Sequence, residues 1–263
     1  PTSNKFLNEN LSILGKRSIN IPLGEIKIKR KITALDIIIR TCTKINMLTQ
    51  NKKRIFEKDK IEYTLRSINS ILRSVKTSNQ LKGKDVNFKI IDHESDNTSL
   101  NMINNLFKKN NINYSLINLE VSKFKKNINK KNQKEEEVTE NQMSNMANIH
   151  QSLIESKKSK DLIYFVEDDY IHDKNSIDEM LLTYERISSQ INNELILCPT
   201  DYPYLYTKSE LSQIFLGNQY HWRKINETLC TFLTSKEIIN RHWETYKSMC
   251  EFEHYPFEKP LFV

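Results

Sequence analysis

Glu167, Asp168 and Asp169 are three consecutive acidic residues placed directly after the apolar run Leu162 to Val166. Like charges a few Å apart repel and raise one another's pKa, so a triplet at the end of a buried segment needs a neutralising partner. A divalent cation meets the need. Carboxylate oxygens suit Mg²⁺ or Mn²⁺, ions that keep several waters and take up substrate phosphates in their remaining positions. The plainer alternative is a solvated acidic turn ahead of a helix, with Asp173 and Ser176 as caps. A second polar cluster, Asp92-His93-Glu94-Ser95-Asp96-Asn97, follows the run Val86 to Ile91. It too has a plain reading, because Asp96 or Thr98 can simply open a helix.

What distinguishes both clusters is the elements that carry them. Leu35 to Ile39, Val86 to Ile91, Tyr114 to Val121, Asp161 to Val166 and Glu194 to Cys198 read as strands, several apolar throughout, as expected of strands buried on both faces. Between them lie helical spacings: Ile61, Leu65, Ile68, Leu72 and Val75; Leu100, Ile103 and Leu106; Met143, Met146, Ile149 and Leu153. Ser176 with Glu179, and Thr234 with Glu237, have the capping-box spacing and predict two further helix starts. Residues 122–140 read as a charged loop, and Tyr202 to Trp222, rich in aromatics, as irregular pocket-forming structure.

Strands alternating with helices predict an α/β fold, a Rossmann-like, mostly parallel sheet flanked by helices. Residues 1–34 form an N-terminal arm, and 35–263 a single domain. In such sheets ligands bind at the carboxyl ends of the strands. Residues 40–42, 92–97 and 167–170 all fall there.

The bulk composition limits the alternatives. At 263 residues and 38% hydrophobic content the chain can bury a substantial core. No apolar run is long enough to span a bilayer. The four cysteines are scattered, without zinc-finger spacing, and read as reduced and buried. A net charge of +7 raises nucleic acid as a partner, but the basic residues are unpatterned and the densest cluster, Lys123 to Lys134, runs into Glu135-Glu136-Glu137. Nucleic acid is therefore not the expected partner. The chain begins without Met and stops on Leu261-Phe262-Val263, which leaves open an anchor or tail beyond either end.

The succession of a strand ending near Thr41, a strand ending in Asp92-x-x-Ser95-Asp96 and a strand ending in Glu167-Asp168-Asp169 resembles the GT-A glycosyltransferases, particularly family 2, over residues 33–190. The resemblance implies a GT-A domain, with 35–190 binding a nucleotide-diphosphate sugar of UDP or GDP type and 191–263 forming the acceptor side. It implies an enzyme that moves the sugar to a glycan, lipid or protein hydroxyl with Mn²⁺ or Mg²⁺. Asp92 would contact base or ribose, and Arg40, Thr41, Ser95 and Asp96 would lie against the nucleotide. Asp169 would bind the metal and bridge to the diphosphate, with Glu167 or Asp168 on ribose or on the metal through water. Asn145 or Asn148 would match an asparagine the family carries on the preceding helix. His221 or His254 would complete the metal shell, with His242 a further candidate. One of Asp201, Glu227, Glu251 and Glu253 would serve as general base. The motif opens with Glu where the family often has Asp, and the family's glycine-rich acceptor loop is missing.

Two other readings remain: a sugar nucleotidyltransferase, disfavoured because residues 40–54 contain no glycine for a phosphate loop, and a basic protein binding polyanions without catalysis. The expected location is the cytoplasm, with a membrane surface as the alternative.

Overall fold

Ala34–Thr41 is buried along its whole length, a pattern that only a strand covered on both faces can satisfy. It is the hub of the fold. In a computed structural model that describes residues 27–44, 59–132, 134–200, 207, 213–228, 230–251 and 258, this strand, β1, is followed by α1 (Lys60–Thr77), β2 (Asp85–Asp92), α2 (Asn97–Lys109), β3 (Tyr114–Asn118), α3 (Glu140–Ser156), β4 (Leu162–Glu167) and α4 (Ser176–Ile191). The remainder comprises β5 (Ile196–Leu197), β6 (Ile214–Leu216), β7 (His221–Arg223), β8 (Phe232–Ser235), α5 (Lys236–Arg241) and α6 (Trp243–Ser248).

Six strands form one sheet in the order β3-β2-β1-β4-β8-β5, with β1 to β4 parallel and β8 antiparallel to both its neighbours. The expected α/β architecture, a mostly parallel sheet between helices, is therefore present. Strand alternation sorts the side chains. Leu35, Ile37 and Ile39 join a core with Ile68 and Leu72 of α1, Phe107 of α2 and Tyr184 of α4. Ile38, with Ile163 and Phe165 of β4, joins a second core with Met146 and Leu153 of α3, Ile239 of α5 and Tyr246 of α6.

Several expectations shift. Thr139 and Gln142 form a reciprocal capping box at α3, but the one expected at Ser176 does not form. Asn175 is the N-cap there, and the Glu179 carboxylate instead accepts hydrogen bonds from the backbone N–H of Asn218 and Gln219 and from Trp222 Nε1. Those residues belong to a β6–β7 hairpin, where irregular structure was expected; residues 202–206 and 208–212 lie outside the described residues. Gly217 is required in its turn, since a Cβ would stand 2.4 Å from the Trp222 ring. The helix expected to start from Thr234 is capped instead by Ser235, whose Oγ accepts from Ile238 N, because Thr234 belongs to β8. The β3 strand stops at Asn118, short of Val121. Among the described residues no helix is long and apolar enough to cross a membrane, and all four cysteines are free thiols.

Of the N-terminal arm, residues 27–33 are described. Arg30 binds Asp161 and Glu194 from there, pinning the segment beside the amino end of β4. Nearby, the buried Asp36 carboxylate accepts from Lys89 Nζ at 3.0 Å, Ser159 Oγ at 2.7 Å and Asn87 Nδ2 at 2.9 Å. Removing one partner of a buried pair strands the other charge, at a cost of about 3–5 kcal/mol. Asp36→Ala should therefore lose about that much stability in urea denaturation. Lys160→Ala, which breaks an exposed pair with Asp85, should change nothing measurable.

Candidate functional site

The chain leaves β1 toward β2 and β3 on one side and returns to β4 on the other, so the order reverses between β1 and β4. Connections diverge at such a switch point and leave a crevice at the carboxyl ends of the two strands. Register places Arg40 opposite Glu167, and Thr41 opposite Asp92. The three polar segments singled out in the sequence thus converge.

The pleat splits the acidic triplet. Glu167 turns to the face covered by α3, where Arg40 Nη2 donates to its Oε1 while Arg40 Nη1 donates to Asn145 Oδ1 at 3.1 Å. Asp168 turns to the opposite face and is buried against α1, accepting from Lys60 Nζ at 2.7 Å and Thr64 Oγ1 at 2.8 Å. Asp169 follows the strand and keeps solvent-exposed surface; its carboxylate accepts from its own backbone N–H. Three carboxylates face two cations, Arg40 and Lys60. One negative charge is left over.

That imbalance shows in the acidities. Burial is the largest influence pushing the Glu167 carboxyl up, to about 7, with Asp169 and Asp168 adding and Arg40 and Lys60 opposing. Asp169 keeps accessible surface, yet the protein crowded around its carboxyl is the largest influence and raises it, with Asp168 adding and Lys60 and Arg40 opposing. The loop beyond is held by His172, whose Nε2 meets Tyr164 Oη at 2.9 Å and whose backbone N–H donates to Ser70 Oγ at 2.9 Å. Burial lowers the His172 pKa to about 4, so the ring is neutral.

Asp92 is buried, and three groups already donate to it: Thr41 Oγ1 at 2.6 Å, Ser95 Oγ at 2.6 Å and Ser95 N at 3.0 Å. Ser95 Oγ also accepts from Thr43 N, so this one carboxylate ties the loops after β1 and β2 together. Asp96 is the N-cap of α2, accepting from Ser99 N at 2.9 Å and Ser99 Oγ at 2.6 Å, as the plain reading of that cluster has it. Asn145 and Asn148 both face the sheet, the latter donating to Ile91 O.

The remaining candidates scatter. Asp201, Glu253 and His254 lie outside the described residues. Glu227 is half-buried beyond β7, Glu251 follows α6, His221 is exposed on β7, and His242 lies between α5 and α6. No three His, Cys, Asp or Glu side chains among the described residues group as a ready metal cage, so His221 does not join Asp168 and Asp169. The donor set still fits a hard cation of the Mg²⁺ or Mn²⁺ kind, which needs only one or two carboxylates when phosphates supply the rest. Asp169 is the unpaired carboxylate that could be one of them.

Four contributors were missed from sequence. Lys60 and Thr64, at i and i+4 on α1, take Asp168; His172 sets the loop; and Glu258 clamps residues 228–230, accepting from Thr228 N, Thr228 Oγ1 and Cys230 N. The next residue, Thr231, accepts from Glu167 N through its Oγ1. The Lys60–Thr64 spacing was visible in the sequence, but its target was not. Beyond Asp169, residues 170–173 begin the wall of a cavity of about 970 Å³ bounded by α4, β5 and the hairpin. Comparison with models of known protein families finds no match, and comparison with curated proteins finds none.

Because Glu167 titrates near 7 folded and at an ordinary 4.5 unfolded, the folded chain holds the proton more tightly between those values. Its stabilising contribution is full below about 4.5 and lost as pH rises through about 7. Glu167→Gln should flatten that part of the stability curve in urea titrations from pH 4 to 8. An unchanged slope would mean that Glu167 is not the group responsible.

Proposed function

We propose that the chain is a GT-A-type glycosyltransferase that uses a divalent metal to transfer a sugar from a nucleotide-diphosphate donor of UDP or GDP type to a hydroxyl acceptor. The observation that carries this reading is the Asp169 carboxylate at the β1–β4 switch point, next after two carboxylates that already hold the nearby cations, Glu167 on Arg40 and Asp168 on Lys60. A crevice at that position suits a nucleotide. A lone hard-oxygen ligand there suits a metal shared with a diphosphate.

The chain's own groups have distinct parts. Asp169 would hold the metal, and Mn²⁺ or Mg²⁺ bound there would supply Lewis-acid neutralisation of charge on a nucleoside diphosphate. Arg40 keeps Glu167 in place, and Lys60 with Thr64 keeps Asp168 inward, so the strand end presents one carboxylate rather than three. Asp92, by joining Thr41 to Ser95, shapes the wall against which base and ribose pack. In the transfer, the acceptor oxygen bonds to the anomeric carbon while the bond to the diphosphate oxygen breaks, and the hydroxyl proton passes to a base.

UDP or GDP with Mn²⁺ should raise the melting temperature. At about 100 times Kd, ligand linkage adds about 2.7 kcal/mol, a shift of several degrees. EDTA should remove the shift, and so should Asp169→Ala. Thr139→Ala, which removes the capping box of α3, should lower the melting temperature of the free protein while preserving the nucleotide shift. Equal nucleotide binding without metal and with Ala at 169 would refute the reading.

A further inference from the structure

Six of the eight large apolar side chains most exposed among the described residues belong to the segments around α4 and to the β6–β7 hairpin: Ile171, Ile191, Ile214, Phe215, Leu216 and Tyr220. Ile214 is 71% exposed, Ile171 68%, Tyr220 58% and Ile191 51%. Scattered singly, such residues need no explanation, but gathered together they mark a binding surface. Four of them, Ile171, Ile191, Phe215 and Tyr220, also line the 970 Å³ cavity that begins at Tyr170, next after Asp169. Its inner wall is apolar too, formed by Met180 and Ile187 of α4, Ile196 and Leu197 of β5, and Ile225. At about 1,000 Å³ the volume is at the upper end of the range for small-molecule sites.

The hairpin that closes this cavity is firmly anchored. Glu179, buried on α4, takes the N–H groups of Asn218 and Gln219 together with the Trp222 indole, and Arg186 donates to Gly217 O at 3.2 Å. The turn is thus fixed from beneath while Ile214, Phe215 and Leu216 meet solvent. Three polar side chains in the wall are committed elsewhere: Glu179 to the hairpin, Glu194 to Arg30 and the Tyr184 hydroxyl, and His172 to Tyr164. Asp173, Gln213, His221, Arg223, Lys224 and His242 line the cavity as well, so its apolar stretch is the one formed by α4, β5 and Ile225, and residues 170–173, next after Asp169 in sequence, are part of the wall.

We infer that this cavity receives the apolar chain of an amphiphilic acceptor, whose polar head reaches the crevice at Asp169. Among hydroxyl acceptors it selects those borne on a long alkyl or isoprenoid chain over free glycans. The inference rests on the donor reading for its meaning as an acceptor site. The cavity's preference for an apolar chain rests on its own walls.

The test titrates the full chain with methyl, octyl, decyl and dodecyl β-glucosides below their micelle concentrations, alongside the nucleotide–Mn²⁺ melting shift. Binding should tighten several-fold for every two methylenes and be negligible for the methyl glycoside. Ile196→Trp and Ile225→Trp, which fill the cavity from two sides, should each weaken dodecyl binding at least tenfold while leaving the nucleotide shift intact. Co-sedimentation with zwitterionic phosphatidylcholine vesicles, to which the net charge of +7 gives no attraction, distinguishes a membrane-resident chain, which should retain the protein on the pellet, from a dissolved amphiphile, which should not. Affinity independent of chain length, or unaffected in whichever variant folds, overturns the inference whatever the nucleotide does. Chain-length-dependent binding without any nucleotide shift overturns the donor reading instead.

Discussion

The pairing of Arg40 with Glu167 across adjacent parallel strands is the interaction on which the carboxyl end of the sheet depends. Both side chains leave the ends of apolar strands, and Arg40 is almost wholly buried. A guanidinium in that position needs a carboxylate, because an isolated buried charge is prohibitively costly. The Glu167 side chain, about a third exposed at 32%, is held on the α3 face by this pairing. Once it is fixed there, strand alternation sends Asp168 to the α1 face, where Lys60 meets it, and leaves Asp169 beyond the last ladder position. A run of three acidic residues becomes three different environments through a single geometric rule.

The two ends of the sheet solve their charge problems differently. At the amino end, Arg30 joins Asp161 and Glu194, while Lys89 joins Asp36 with Ser159 and Asn87 completing its hydrogen bonds. Those networks are closed: burial, the largest single influence, pushes the Asp36 carboxyl up, but hydrogen bonds from Asn87, Ser159 and Lys89 and the Lys89 charge together hold it below its usual range. At the carboxyl end the opposite sign prevails, because Glu167 and Asp169 are both raised. Both ends hold shifted groups, but only at the carboxyl end are carboxyls raised rather than lowered, which is why that end is the candidate site, whereas the closed networks stabilise the fold.

Much of this was legible in the sequence, and the reasons are specific. β1, β2 and β4 are apolar over several residues and end in polar clusters, so their existence and the convergence of their ends could be read from pattern alone. α1 and α3 followed from helical spacing. The β8 strand escaped notice because Phe232–Ser235 is short and its partners are β4 and β5, distant in sequence and antiparallel to it. At Ser176 the capping box failed for a tertiary reason: Glu179, the residue that would complete it, is held by a hairpin about forty residues further on. The division of labour within the acidic triplet was likewise hidden, since it depends on which cation waits on which face. Lys60 gave no signal of its own.

The same hairpin links the two halves of the chain. β5 and β8, from the second half, extend the sheet begun by β1 to β4, so the two halves share one hydrogen-bonded framework. Glu179 then fixes the hairpin to α4, the helix that follows Asp169, while Gly217 lets the turn close against Trp222 and Thr183 without a side chain between them. The cavity wall and the hairpin are therefore positioned by α4, whereas the acidic strand end is held from β1 and α1 by Arg40, Lys60 and Thr64. A shift of α4 would carry the hairpin with it and leave those pairings in place, so the two regions are joined through the sheet and the loop after Asp169 rather than through one helix.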